Sequence, residues 1–521
     1  MNTLLSLLVV AAAGTGPVAP AVDPARLIPE DMSVFIELDQ PTQLVGRIRG
    51  SAFWAEISGF VDDGLGKVLD VIEQAELSKA AIGLDHSFLR SKTKFVVFLQ
   101  GADRAAIHKT TKAMLKDAEG VRVFKVGPFV GITDSKSTFD AVKDVAAGDE
   151  DPLSMRKNFQ TFRAEVVKGQ LRYHVDLKRL VPLRPGVAEP DDAGAAFLAG
   201  HILLAAGRAN VVSGFIDLSR GLKVKVAAAM GKLPKDRRFC APSGPVLPTL
   251  DIGSAARLSL RRDVADYWKN VEDLIPEGAR TGLAEFRSTV GVFLGGLAVE
   301  DLFAGLGTSF DVYVKRLPTD GPSPRNRYPT GALVTQVKDK KLARELLIGF
   351  QELIGIINIE NSQQGRPRML IGSKRFRETD IMTARFLPDM LPEKDDDRLQ
   401  LEVCVAFVGE RLIVGSHSSI VQELVGAALD GKTLVRAAGD TLRVTAAGAM
   451  ALLKDAKGAL TAQMVLNGRT SEQADTLIDR IGRIVGRAES LSVDVVVRDG
   501  LALVDLDLDA PRLWSKQGGQ K

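Results

Sequence analysis

Cysteine is almost missing from this chain: Cys240 and Cys404 are the two in 521 residues. Neither has a C-x-x-C partner, which removes the usual framework of a structural zinc site. The sequence leaves open whether the two pair. Cys404, inside the apolar run LEVCVAF, reads more simply as a small buried hydrophobe. Aromatic residues make up 6%, too few for the stacking platforms that hold single-stranded nucleic acid. Charge of one sign is also lacking, since 68 Lys and Arg face 65 Asp and Glu for a net of +3. Bulk charge therefore supplies no field for a polyanion, and no nucleic-acid partner is expected. Beyond the first residues no run of about 18 apolar residues occurs, so an integral membrane protein is not expected.

The N-terminus carries the first positive signal. Leu4 to Ala13 (LLSLLVVAAA) is a short apolar run, followed by Gly14, Pro17 and Pro20. Ala19 and Ala21 form an A-x-A pattern suited to signal peptidase. Residues 1–21 read as a signal peptide, with cleavage after Ala13 or Ala21 both open. The segment before the run has no Lys or Arg, and an apolar tail on a cytosolic protein is the alternative. Export implies a periplasmic or secreted protein.

The rest of the chain repeats an order of elements. A Pro-rich linker, residues 231–253, separates an N-terminal lobe (22–230) from a C-terminal lobe (254–510), and a polar tail (511–521) follows. Each lobe opens on an alternating strand, Ser33–Asp39 or Ala256–Arg262, followed by a segment with a Trp (Trp54, Trp268). An amphipathic stretch with Leu65, Val68, Leu69 and Ile72 comes next in the first lobe. Strand Lys94–Leu99 is matched to Phe310–Lys315, and helix Ala105–Leu115 to Lys341–Ile354. A hairpin and helix follow in both, Val123–Gly148 and Cys404–Gly431, with turns at Gly127 and Gly409. Hairpins Gly214–Ala228 and Leu491–Leu508 close the lobes. Helix Ser471–Val485 has Thr470 as N-cap with Gln473 three residues on, and Leu477, Ile478, Ile481 and Ile484 as its inner face. The expected fold is α+β: two similar lobes from an internal duplication, each a mostly antiparallel sheet with helices on one face.

Gly426 to Thr433, GAALDGKT, matches the phosphate-loop pattern G-x-x-x-x-G-K-[ST] at every defined position. Its context argues the other way. Ser419 and Gln422 fit a capping box, and Ile420, Val421, Leu424 and Ala428 make a helical stripe that ends at Gly431. A phosphate there would meet the negative end of a helix, so no nucleotide is expected at Gly426–Thr433. The five histidines, His86, His108, His174, His201 and His417, show no metal-ligand spacing, and His417 reads as a helix cap. Asp505, Asp507 and Asp509 share one face of a strand, which reads as a solvent face. The loop Glu393–Asp397 does not match an EF-hand. Arg366 to Arg377 (RPRMLIGSKRFR) is the densest basic run, read as a solvated hairpin or as a contact for anionic headgroups or wall polymers.

Leu27-Ile28-Pro29-Glu30-Asp31 before a strand ending in Asp39 resembles the opening of an uncharacterised family of exported bacterial proteins. The family is the domain of unknown function numbered thirty-three fifty-two. Asp301 to Gly307 is similar to its mid-chain Asp-Leu-x-x-x-Leu-Gly segment, and Arg411–Leu429 to its leucine–isoleucine–glycine–serine element before a helix. The loops around Pro322–Arg327 and Gly365–Arg377 depart from it. The resemblance implies export and supplies no catalytic residue.

The expectation is a non-enzymatic exported protein that acts in the envelope through surface contacts with protein or lipid. A carrier of lipid or another apolar ligand in a groove is the alternative, and a Ser/His hydrolase assembled from scattered residues comes third. No catalytic, cofactor-binding or metal-binding residue is assigned.

Overall fold

The computed structural model describes residues 22–57, 76–85, 94–116, 120–165, 169–180, 202, 205–219, 221–230, 247–274, 280–293, 297–317, 327–393, 396–436, 438–498 and 500–514. The N-terminal run, the stretch from Leu65 to Ile72, His86, His201, Cys240 and most of the Pro-rich linker lie outside these. The chain divides into two compact units. Of the described residues, one holds those within 22–180, 205–230 and 500–514, and the other holds 202 and those within 247–498.

In the first unit the strands are β1 (Val34–Asp39), β2 (Leu77–Leu84), β3 (Phe95–Gly101), β4 (Arg122–Val126), β5 (Phe129–Thr133), β6 (Leu171–Asp176), β7 (Ala209–Asp217) and β8 (Gly221–Met230). The second unit has β9 (Thr249–Leu250), β10 (Ala256–Arg261), β11 (Leu306–Lys315), β12 (Thr330–Val337), β13 (Met369–Phe376) and β14 (Thr379–Phe386). It continues with β15 (Glu402–Val408), β16 (Arg411–Gly415), β17 (Thr433–Leu434), β18 (Asp440–Thr445) and β19 (Ser490–Arg498). The last strand, β20 (Leu501–Asp509), belongs to the first unit, where it pairs with β8. The helices that matter below are α1 (Arg104–Met114), α2 (Lys136–Ala147), α3 (Lys157–Glu165), α4 (Lys340–Gln363), α5 (Ser418–Leu429), α6 (Ala446–Leu466) and α7 (Ser471–Val485). Among the described residues no helix is long and apolar enough to cross a membrane.

Every strand pair described is antiparallel, so the fold is α+β, as expected. The first unit runs β4-β5-β3-β2-β1-β6-β7-β8-β20. The second runs β13-β14-β15-β16-β12-β11-β10-β18-β19. The seven strands from β4 to β7 in the first order and from β15 to β19 in the second follow one topology. Helices after the third and fifth of them, α1 and α2 or α4 and α5, complete the likeness. The hairpin β13–β14, which carries the basic run, is extra to the second unit.

Two matches read from the sequence need correction. Phe310–Lys315 lies in β11, whose counterpart is β2, while Lys94–Leu99 lies in β3, whose counterpart is β12. Strand β2 (LSKAAIGL) was not anticipated, because its alanines, lysine and glycine give no β-branched alternation. The second correction concerns β20, expected in the C-terminal lobe. Its acidic row faces basic residues of β8, with Asp505 opposite Lys225 and Asp507 opposite Lys223.

Helices also cover both sheet faces, not one. In β3, Val97 and Leu99 join a core with Ile107 of α1, while Val96 and Phe98 join another with Val142 of α2 and Phe159 of α3. An uninterrupted apolar strand such as FVVFLQ needs both faces dry. The second unit repeats this, with Phe350 and Ile354 of α4 against Leu412, and Val421 and Leu424 of α5 against Ile413. Helix α7 has the anticipated cap: Thr470 Oγ1 accepts the Gln473 N–H at 3.2 Å, and the Thr470 N–H donates to Gln473 Oε1 at 3.0 Å. Its inner face is shifted from the one read in the sequence. Ala474, Ile478 and Gly482 are buried, with Gly482 against Met450 and Leu453 of α6, and Ile481 is exposed.

Candidate functional site

Neighbouring strands β1, β6 and β7 place Phe35, His174 and Ser213 in one row, and Glu37 and Arg172 in a second row on the same face. Helix α3 covers this face, with the Phe159 ring edge-on to both Phe35 and His174. Between helix and sheet is a recess of ≈ 20 Å³, which has room for about one water. His174 Nδ1 lies 2.7 Å from Ser213 Oγ, and both residues are buried. His174 Nε2 has no hydrogen-bond partner. Burial, with the positive charge of Arg156 nearby, pushes the imidazole down to about 4 against the opposing pull of Asp176, so it is neutral near pH 7.

Glu37 is the charged centre of the recess. Its side chain is fully buried, with Arg172 at 2.8 Å, Arg163 at 3.1 Å and Lys79 at 3.3 Å. Arg163 comes from α3 and also pairs with Asp23 at 3.0 Å, so the carboxylate anchors the helix to the sheet. A buried charge of this kind persists only where cations and hydrogen bonds replace its water. Ser213, His174 and a carboxylate do share one wall here. A hydrolase would need a third group orienting His174 through its other ring nitrogen and space for an acyl group beside Ser213. Nε2 is unpartnered and the recess is the size of a water. The arrangement seats a neutral imidazole and a caged carboxylate under α3.

The other sequence candidates fall apart in space. His417 is the N-cap of α5; its Nδ1 accepts the Ser419 N–H at 3.2 Å and faces Ser419 Oγ at 2.8 Å. The capping box read at Ser419 and Gln422 is therefore replaced by a cap two residues earlier. Gly426 to Thr433 is the end of α5. Gly431 has φ +66°, the Lys432 N–H donates back to the Ala427 carbonyl at 2.9 Å, and β17 follows at once. A helix enters the motif and a strand leaves it, the reverse of a phosphate cradle. Gly148 (φ +89°) ends α2 in the same way, with the Asp149 N–H on the Asp144 carbonyl at 2.8 Å.

Asp507 meets Lys223 at 3.0 Å across the β8–β20 pair. Asp396, in the acidic loop, accepts the Arg398 N–H and pairs with its guanidinium at 2.7 Å. Cys404 is a free buried thiol, its Sγ 3.1 Å from the Glu402 carbonyl, and burial raises its pKa. His108 sits on α1 with its pKa lowered by burial and by Lys125 and Lys112. A wider cleft of ≈ 570 Å³ in the first unit is polar, lined by Glu30, Asp31, Glu150, Asp151, Lys94 and Arg179 among others. Among the described residues no three His, Cys, Asp or Glu side chains gather as a metal site.

Sequence reasoning missed the buried ion pairs of the second unit. Arg262, with no exposed surface, meets Asp440 through two bonds of 2.8 and 2.7 Å. Arg436 reaches Asp311, whose carboxyl is pushed up by burial in spite of that guanidinium. The partners lie more than a hundred residues apart, and nothing local marks them. Glu37 in the strand VFIELD did offer a signal, since a charged residue on the inward side of an apolar strand needs a buried partner.

No family model matches the chain, and no curated protein matches it. Among solved structures, TP0453 in its crystal forms III and I is similar to 42% of this chain, over 86% and 82% of that protein, at 12% identity and a TM-score of 0.24. At that score the likeness carries no argument about fold or function.

Proposed function

We propose that this chain is a non-catalytic, exported protein of the bacterial envelope that works through surface contacts. The observation that carries this reading is the recess at His174, Ser213 and Glu37. There a hydroxyl, an imidazole and a carboxylate share a wall, in a space with room for about one water, and the carboxylate anchors a helix. His417 is engaged as a cap, and Asp507 in a cross-strand pair. Export rests on the apolar run Leu4–Ala13 and the A-x-A at Ala19 to Ala21. The shared order of seven strands supports origin of the two units by internal duplication.

The test is a pair of measurements on the full chain. Fluorophosphonate labelling and an ester panel should give no adduct and no turnover. An adduct at Ser213 that disappears in Ser213→Ala would overturn the reading. Cross-linking in the native envelope should capture the chain with a partner, whereas recovery from the cytosol alone would remove the envelope assignment.

A further inference from the structure

Four buried side-chain atoms on residues lining the recess under α3 have no hydrogen-bond partner among the described residues: His174 Nε2, Glu37 Oε1, Arg163 Nη1 and Arg172 Nε. His174 and Glu37 are 3% and 1% exposed, so bulk solvent does not serve these atoms. Arg163 donates through Nη2 to Glu37 Oε2 at 3.1 Å, which leaves its Nη1 over. Arg172 Nη2 lies 2.8 Å from Glu37 Oε1, a contact of opposite charges that is not aligned as a hydrogen bond. His174 follows Arg172 by two residues on the same strand face, beside the carboxylate cage. Buried polar atoms left unpaired keep their full desolvation cost, and four around one space point to a shared partner. The recess of ≈ 20 Å³ has room for about one water.

Donors and acceptors decide how a water sits there. It has two hydrogens to give and two lone pairs to receive with. Arg163 Nη1 and Arg172 Nε can only donate, and a carboxylate oxygen of Glu37 can only accept. The guanidiniums therefore take both lone pairs of the water, and the carboxylate takes one hydrogen. The second hydrogen is left for His174 Nε2, which has to be an acceptor. A neutral imidazole carries one N–H, so that proton is on Nδ1 and is donated to Ser213 Oγ, 2.7 Å away. The opposite tautomer would aim an Nε2–H at a water with no lone pair left, beside two arginine N–H groups.

We propose that the recess under α3 is a binding site for one resident water, which accepts from Arg163 and Arg172, donates to Glu37 and His174, and so fixes the imidazole as its Nδ1–H tautomer with Ser213 as acceptor. A serine becomes a nucleophile only when a base accepts its proton. In this tautomer His174 turns an N–H, not a lone pair, towards the hydroxyl. The water thus holds the pair in the direction opposite to that of a hydrolase. The inference rests on the non-catalytic reading above and gives it a cause.

The test is ¹⁵N NMR of the full chain with labelled histidine at neutral pH, the His174 signals being those lost in His174→Asn. Nδ1 should appear as the protonated nitrogen and Nε2 as the bare one, with the Nδ1–H form favoured roughly tenfold or more. A crystal structure of the full chain that resolves solvent should show one water within about 3.2 Å of Nε2 and of both arginines. Arg172→Met frees a lone pair of the water, so a measurable Nε2–H population should appear in that variant. An Nε2–H ring in the parent, a dry recess, or a folded Arg172→Met with the tautomer ratio of the parent would each overturn the proposal. The first two measurements need no variant, so they decide the matter even if Arg172→Met does not fold. An Nε2–H ring without fluorophosphonate labelling sinks this inference alone. A Ser213 adduct in a chain whose His174 is Nδ1–H sinks the functional reading instead.

Discussion

Lowering the pH should loosen the first unit through His174, and the size of the effect follows from its surroundings. The ring is buried beneath Phe159 with Arg156 nearby, and it holds its neutral form down to about 4, against 6.5 for a free imidazole. The folded value is the lower one, so the unfolded chain takes up the proton first. Stability contributed by the neutral ring is fully present above pH 6.5 and is lost as the pH falls towards 4. A gap of roughly 2.5 units at 1.36 kcal/mol each removes about 3 kcal/mol, a large share of a domain's margin. The direct assay is NMR of ¹³C-labelled histidine in the full chain, with His174 identified from the spectrum of His174→Asn. Its ring signals should stay in the neutral position to pH 5 and move with a midpoint near 4. Urea unfolding between pH 7 and 4 should show a slope that flattens in His174→Asn. A His174 midpoint at 6 or above, or an unchanged slope in the variant, would refute the reasoning.

Other outcomes follow from particular contacts. Asp440→Ala leaves the buried Arg262 guanidinium without its bidentate partner and should destabilise the second unit by about 3–5 kcal/mol in urea unfolding. Arg262→Met with Asp440→Leu should recover most of that loss. Gly431→Ala should cost about 1 kcal/mol from its left-handed φ alone, because an added Cβ meets no atom, while Lys432→Ala should change thermal stability by less than about 0.5 kcal/mol. N-terminal sequencing of the chain recovered from an envelope fraction should begin at Gly14 or Val22; retention of Met1 would remove the signal peptide.

How much was legible beforehand depended on how far apart the deciding residues lie. Thr470 and Gln473 are three apart, and the cap they form is in the structure as read. Gly431 closing α5 and Gly148 closing α2 were visible for the same reason, because a left-handed residue after a helical stripe is a local requirement. Strand β2 was invisible because its alanines and glycine pack well only between β1 and β3. The recess at His174 was illegible in another way. Ser213 lies 39 residues on, and only the register of β6 against β7 sets Nδ1 and Oγ side by side.

The sequence by itself determined the α+β class, the helix ends and the repeated order of hairpin and helix, because periodicity, caps and turns depend on residues a few positions apart. Tertiary structure decided which strands are neighbours, that β20 returns to β8, and which charges are caged. Those outcomes depend on sheet register and on desolvation, which exist only once distant segments are brought together. It also decided what stays uncovered. The isoleucines along α4 look alike in the sequence, and packing against one face of the sheet divides them into a core and a surface.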